Sequence, residues 1–192
     1  MTAIILAGLA LTGSMTNMEM LETAVADAML PVAEQVADQG IGSLVLTVEG
    51  EHQGSWLLEQ TAVSLLDQAG ITVLTIRGED VWTLSLRPME MAVTYGQTGR
   101  SWFLGGRQVP RQATCQLAAT LVDPDGSVVL TMREGAVLNS TVSAGDVAVL
   151  ESAGERWVNG ELSQEESGNL LEPLVVTGVV TALVYLFYSS RN

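Results

Sequence analysis

The chain has 192 residues, with 22 acidic side chains against 8 basic ones, a formal charge of −14 and a mean hydropathy of +0.32. That length holds one domain of ordinary size with room for a terminal anchor, and it excludes two independent cores. An apolar content of 47% excludes a disordered chain, and the charge excludes a nucleic-acid partner; a single Cys (Cys115) and a single His (His52) exclude an internal disulfide and the Cys-rich or multi-His metal sites.

Residues 1–14 open with an apolar run from Ala3 to Leu11 that ends in small residues, the pattern of a secretory signal, although no basic residue precedes it. The other reading of this stretch is a buried or frayed N-terminal segment. Leu11-Thr12-Gly13-Ser14 has the form of a lipoprotein box with Ser14 where the lipid-bearing Cys would stand, so no lipid is attached there.

Residues 17–150 read as one α/β domain, of the α+β kind with a mixed sheet. Leu21, Val25, Ala28, Met29, Val32 and Val36 recur at helical spacing from Asn17, the candidate cap, with Pro31 expected to bend or interrupt the helix. Gly40 and Gly42 end it, and Ser43 to Glu49 reads as a buried strand. Ser55 to Ala69 is a second helix with Leu58, Ala62, Leu65 and Leu66 on one side, stopped by Gly70, and Ile71 to Arg77 is a second strand. Strand, helix, strand at this spacing is a βαβ unit with parallel strands. Met89 to Tyr95, Gln112 to Asp123 and Ser127 to Arg133 then read as strands without intervening helices. Asp123-Pro124-Asp125-Gly126 is a tight-turn signal that makes the last two an antiparallel hairpin. Apolar residues at Ala113, Cys115, Leu117, Ala119 and Leu121 give that strand one core face and one wet face. Beyond Glu134 the sequence looks irregular, with a short helix near Val147 to Leu150.

Residues 151–169 read as an acidic linker. Leu170 to Tyr188 is apolar apart from Glu172, and at about 1.5 Å per residue it spans about 28 Å, near the thickness of a bilayer core. It is expected to be a transmembrane anchor, carried by Leu174, Val176, Val180, Leu183, Leu186 and Tyr188 and contacting membrane lipid, with residues 189–192 as a short tail. A buried core helix or a subunit-contact helix is the other reading. Arg191 after the span and glutamates before it place the tail in the cytoplasm and the domain outside, on the periplasmic side.

Chemistry-bearing residues are few. His52 beside Glu51 lies in a polar loop, where a solvated side chain is the ordinary case, and Cys115 falls on the apolar face of a strand. Gly40-Ile41-Gly42 precedes a strand instead of following one, so it is not a dinucleotide loop. No cofactor or metal is called for and no catalytic residue is assigned. One cluster stands out in so acidic a chain: Arg100, Trp102, Phe103, Arg107 and Arg111, in and beside a glycine-rich segment from Gly96 to Pro110. Arginine and aromatic residues anchor protein interfaces, so this is a candidate partner-binding loop; the alternative is a flexible connection whose arginines pair with surface carboxylates.

In order of elements the domain resembles the α/β domain of bacterial envelope assembly lipoproteins, the curli-secretion and flagellar-assembly outer-membrane group, related to the N-terminal domain of TolB. The matching stretches are Ser43 to Glu49, Ser55 to Arg77 with Gly-Ile-x-Val entering the second strand, and Arg111 to Thr131 with Leu-x-Asp-x-Asp-Gly-x-Val. The resemblance implies a partner-binding module in envelope assembly with no catalytic residues to carry over. The expectation is a non-enzymatic, single-span envelope protein that binds other envelope proteins. An accessory subunit of a larger membrane complex, and then an enzyme acting near His52 or Gly105, are the ranked alternatives.

Overall fold

The computed structural model of the chain describes residues 15–75, 81–100, 106–152 and 155–160. The signal-like segment 1–14, the linker from 161 and the anchor residues Leu174, Val176, Val180, Leu183, Leu186 and Tyr188 lie outside them. Among the described residues no helix is long and apolar enough to cross a membrane.

The fold is mixed α/β. Helix α1 (Asn17–Ala37) is started by a reciprocal capping box: the Glu19 amide donates to Thr16 Oγ1 at 3.2 Å, and the Thr16 amide donates to Glu19 Oε2 at 2.7 Å. Thr16, not Asn17, is therefore the cap. The predicted apolar stripe is buried along its whole length, and the helix is not interrupted at Pro31, because Ala28, Met29, Val32 and Ala33 are packed on either side of it. Strand β1 (Ser43–Val48), helix α2 (Ser55–Gln68) and strand β2 (Thr72–Leu74) form the expected unit, with β1 and β2 parallel.

Strand β3 (Trp82–Tyr95) pairs parallel with β1 and antiparallel with β5 (Arg107–Val122); β6 (Val128–Ser143) pairs antiparallel with the other side of β5. The two-residue β4 (Gly99–Arg100) prolongs the β3 side of β5. Asp123 closes the β5–β6 turn, its carboxylate accepting from the Ser127 amide at 2.7 Å, and Gly126 takes the positive φ of 84° that the turn needs.

Three strands are longer than the sequence predicts. Strand β3 begins at Trp82 instead of Met89, because Pro88 sits at a β-bulge between Pro88 and Glu90, where its missing N–H breaks nothing. Strand β5 begins at Arg107 and carries Pro110 within it. Strand β6 continues past Glu134 to Ser143, with Ala136, Leu138, Ser140 and Val142 facing inward between exposed neighbours. Residues 155–160 are also not linker: Val158 is fully buried in the main core, and a Cβ at Gly54 would run into the Trp157 ring.

Both helices lie on one side of the sheet and share one core with Leu44, Leu84, Leu86 and the odd-numbered residues of β5. A second, smaller cluster joins Tyr95, Val109 and Val142 to Val147 and Leu150 of helix α3 (Val147–Ser152). Replacing Pro31 by Ala returns an amide donor to the carbonyl of Asp27, so Pro31→Ala is expected to raise stability by about 1–3 kcal/mol in urea unfolding. A lower midpoint would mean that α1 needs the proline's geometry to seat its stripe.

Candidate functional site

The arginine–aromatic cluster does not stay together. Arg100 and Arg107 are register partners on β4 and β5, and Arg107 is exposed; Trp102 and Phe103 lie outside the described residues. Arg111 is 2% exposed and faces the helices, so it is not part of a partner-binding loop. The reason is parity: on β5 the odd positions point to the core, and Arg111 is two residues before Ala113. The sequence reading missed this because it started the strand at Gln112, beyond Pro110.

Arg111 organises a buried polar network at the N-terminus of α1. Its Nη1 donates to Asn17 Oδ1 at 2.9 Å and its Nη2 donates to the Met15 carbonyl. Asn17 Nδ2 donates to the Tyr95 hydroxyl at 2.7 Å and to Asn159 Oδ1 at 3.4 Å, and Asn159 Nδ2 donates to the Glu151 carbonyl at 3.3 Å. Arg111 Nε has no partner among the described residues. Burial pulls the Arg111 guanidinium below its ordinary value, opposed by Tyr95 and Glu19, and burial pushes the Tyr95 phenol up. These bonds tie α1, β3, β5, α3 and the turn at Arg156–Val158 together, which is a structural task. Asn17→Leu leaves a buried cation short of an acceptor and is expected to cost about 2–3 kcal/mol. Measured by urea unfolding, a loss well under 1 kcal/mol would show that Asn17 is not a needed acceptor for Arg111.

His52 and Cys115 are likewise accounted for by packing. His52 Nδ1 accepts from the Gly54 amide at 2.9 Å and its ring stands edge-on to Trp157, 5.5 Å between centroids. Cys115 is completely buried and its thiol is pushed up to about 11 by desolvation, so it is neither ionised nor reachable as a nucleophile. In the unfolded chain the thiol ionises near 9, so its contribution is full below that pH and is lost as pH rises to about 11. Between pH 9 and 11 the native chain is expected to lose about 2 kcal/mol more stability than Cys115→Ala; equal losses would place the alkaline sensitivity elsewhere. Among the described residues no three His, Cys, Asp or Glu side chains are grouped to hold a metal.

What remains is surface. The helix layer is acidic: α1 and α2 carry Glu19, Glu22, Asp27, Glu34, Glu59 and Asp67 and no basic residue. The opposite face of the sheet is different. Across β3, β5 and β6, register rows on that face read Thr94, Gln112, Asn139; Ala92, Thr114, Val137; Glu90, Gln116, Gly135; Arg87, Ala118, Arg133; and Ser85, Thr120, Thr131. Gln112 Nε2 donates to Asn139 Oδ1 at 3.1 Å across the first row. These residues are exposed or half-buried, Val137 by 54%, and three of them are charged, two as arginine. A third surface, the groove between α1 and α2, is lined by Leu30, Ala33, Glu34, Asp38, Leu65 and Gln68.

No family model matches the chain, and no curated protein matches it. Among solved structures it is similar to a minor lipoprotein from Acinetobacter baumannii, at 14% identity and a TM-score of 0.35, over 76% of this chain and 87% of that one. It is also similar to a homolog of the neuraminyllactose-binding hemagglutinin from Helicobacter pylori, at 11% identity and a TM-score of 0.32, over 52% of this chain and 64% of that one. Scores this low do not bear on the role of the chain, which has to be read from its own surfaces.

Proposed function

We propose that this chain is a non-enzymatic docking module of the bacterial envelope, anchored in a membrane by residues 170–188, with its domain outside the cytoplasm. Its partner is another envelope protein, bound on the outer face of β3, β5 and β6. The observation that supports this reading is the contrast between the two sides of the domain. One side is an acidic helix layer, and the other is a broad sheet surface of Thr, Gln, Ala and Val whose charges are Arg87, Glu90 and Arg133. Neutral side chains cost less to desolvate than charged ones, and a flat sheet surface offers contact area without ordering many long flexible groups. Gln108, exposed and of the same parity as Gln112, extends this face toward the start of β5. The envelope setting rests on the sequence: the signal-like start, the apolar span and the resemblance to envelope assembly lipoproteins.

A photo-crosslinking residue placed at Gln112 in the full-length chain, in intact bacteria, is expected to give one discrete adduct, whereas the same residue at Glu59 on α2 gives none. Thr114→Arg with Val137→Arg is expected to abolish that adduct while leaving circular dichroism unchanged. Adducts from Glu59 and not from Gln112 would move the binding surface to the helices.

A further inference from the structure

Among the described strands the open face ends at β6. Strand β6 runs from Val128 to Ser143 and is paired, among the described strands, with β5 alone. The direction of its backbone groups follows from two hydrogen bonds. The Ala144 amide donates to the Arg107 carbonyl at 2.9 Å, which continues the ladder in which Gln108 faces Ser143. Antiparallel pairs alternate between bonded and non-bonded, so the even-numbered residues of β6, from Leu130 to Val142, exchange bonds with β5. The odd-numbered residues, from Val129 to Ser143, therefore point their N–H and C=O groups away from the sheet. A second bond agrees: the Gly96 amide donates to the Pro110 carbonyl at 2.8 Å, so even-numbered β5 residues turn to β3 and the odd ones to β6.

Edges of this length are ordinarily blunted by proline, lysine, a bulge or a very short strand. From Leu130 to Ser143 none of these devices occurs: that stretch holds no proline or lysine and its register is unbroken, the bulge of the strand lying at its turn end between Val128 and Leu130. Its charges are Arg133 and Glu134, on opposite faces. The inward side chains Leu130, Met132, Ala136 and Leu138 are only half-buried, so an added strand would complete their cover.

We infer that β6 is a dimerisation edge, at which two copies of this chain pair antiparallel, β6 to β6, centred on Gly135, into one continuous sheet. The sequence of the strand is self-complementary in that register. With Gly135 on the two-fold axis the strand overlaps from Val128 to Val142, Arg133 lies opposite Val137 of the second copy, Thr131 opposite Asn139, Glu134 opposite Ala136 and Met132 opposite Leu138. Centring on Glu134 would oppose two carboxylates, and centring on Arg133 two guanidinium groups. Gly135 is an outward-bonding residue, so the axis falls on a hydrogen-bonded pair, and the odd residues that bond across the axis, Val129 to Thr141, are the ones that no other described strand pairs. The two acidic helix layers come to lie on the same side of the joined sheet. Added salt screens their repulsion and strengthens the dimer, the reverse of an interface held by ion pairs.

The test uses the full-length chain purified in mild detergent. Sedimentation equilibrium is expected to show a monomer–dimer equilibrium that shifts at least threefold toward dimer between 50 mM and 500 mM salt, over which the Debye length falls from about 14 Å to about 4 Å. Val137→Pro removes an outward N–H and no ladder bond, so it is expected to leave the thermal midpoint near that of the native chain and abolish the dimer. Should that variant fail to fold, register is read by crosslinking. Opposed residues of a bonded pair lie about 5.5 Å apart at Cα, within disulfide range. Arg133→Cys with Val137→Cys is expected to give a covalent dimer on oxidation, and either substitution alone none; Cys115 is buried and does not interfere. A monomer at every concentration and salt, a folded Val137→Pro variant that still dimerises, or single variants that crosslink as well as the pair would each overturn the proposal. The dimer is independent of the docking face: a chain that dimerises without capturing a partner at Gln112 keeps the edge and loses the face.

Discussion

The burial of one side of β5 is the constraint on which the other elements depend. Its odd-numbered residues from Val109 to Leu121 are all removed from water, and they need a cover as long as the strand. A strand of 16 residues extends about 54 Å at roughly 3.4 Å per residue, whereas the 21 residues of α1 extend about 31 Å at 1.5 Å per residue. One helix cannot cover the whole strand. The remainder is covered by α3, whose Val147 and Leu150 meet Tyr95, Val109 and Val142, and the junction between the two covers is where Arg111 sits. The buried guanidinium is thus placed where helix N-terminus, strand and α3 converge, and its hydrogen bonds fix their relative positions. Its 2% exposure is offset by two oxygens at the start of α1, the Asn17 amide and the Met15 carbonyl.

The same alternation that fills the core also gives the molecule two unlike sides. Because side chains on a strand point alternately up and down, every apolar residue that β5 sends to α1 is accompanied by a Gln, Thr or Ala sent the other way. Six carboxylates and no basic residue stand on α1 and α2, on the helix side of the sheet. The neutral face is therefore the side of the sheet left over once the core has been filled from the other side.

How far the sequence could be read differed with the strength of the local signal. The stripe of α1, the α2 stripe ended by Gly70 and the Asp123–Gly126 turn all rest on short-range patterns, and the parallel pairing of β1 with β2 follows from their spacing. Strand ends were harder. Read from sequence, the strands begin after Pro88 and Pro110, at Met89 and Gln112, yet each proline lies within a strand, one at a bulge and the other with its carbonyl engaged by Gly96. The far half of β6 was hidden because its inward positions are Ala136 and Ser140 as often as Leu138 and Val142, too small to show as an apolar alternation. For the same reason Arg111 was grouped with the arginines near it in sequence: only the parity of a strand that starts at Arg107 sends it inward. The Arg111–Asn17–Tyr95 network joins residues far apart in sequence, and no local pattern announces it.

The docking of residues 155–160 has a mechanical meaning. Trp157 is seated against Gly54, Asn159 shares the amide of Asn17, and a side chain at Gly160 would collide with the backbone at Val93. Tension applied from the C-terminal side reaches these contacts before it reaches a strand, and they are few and local compared with the ladders of the sheet. The segment would give way first under load, releasing the α3 side of the Arg111 network while β3, β5 and β6 stay zipped. A short clasp in series with a strong sheet makes the domain extensible at one defined point.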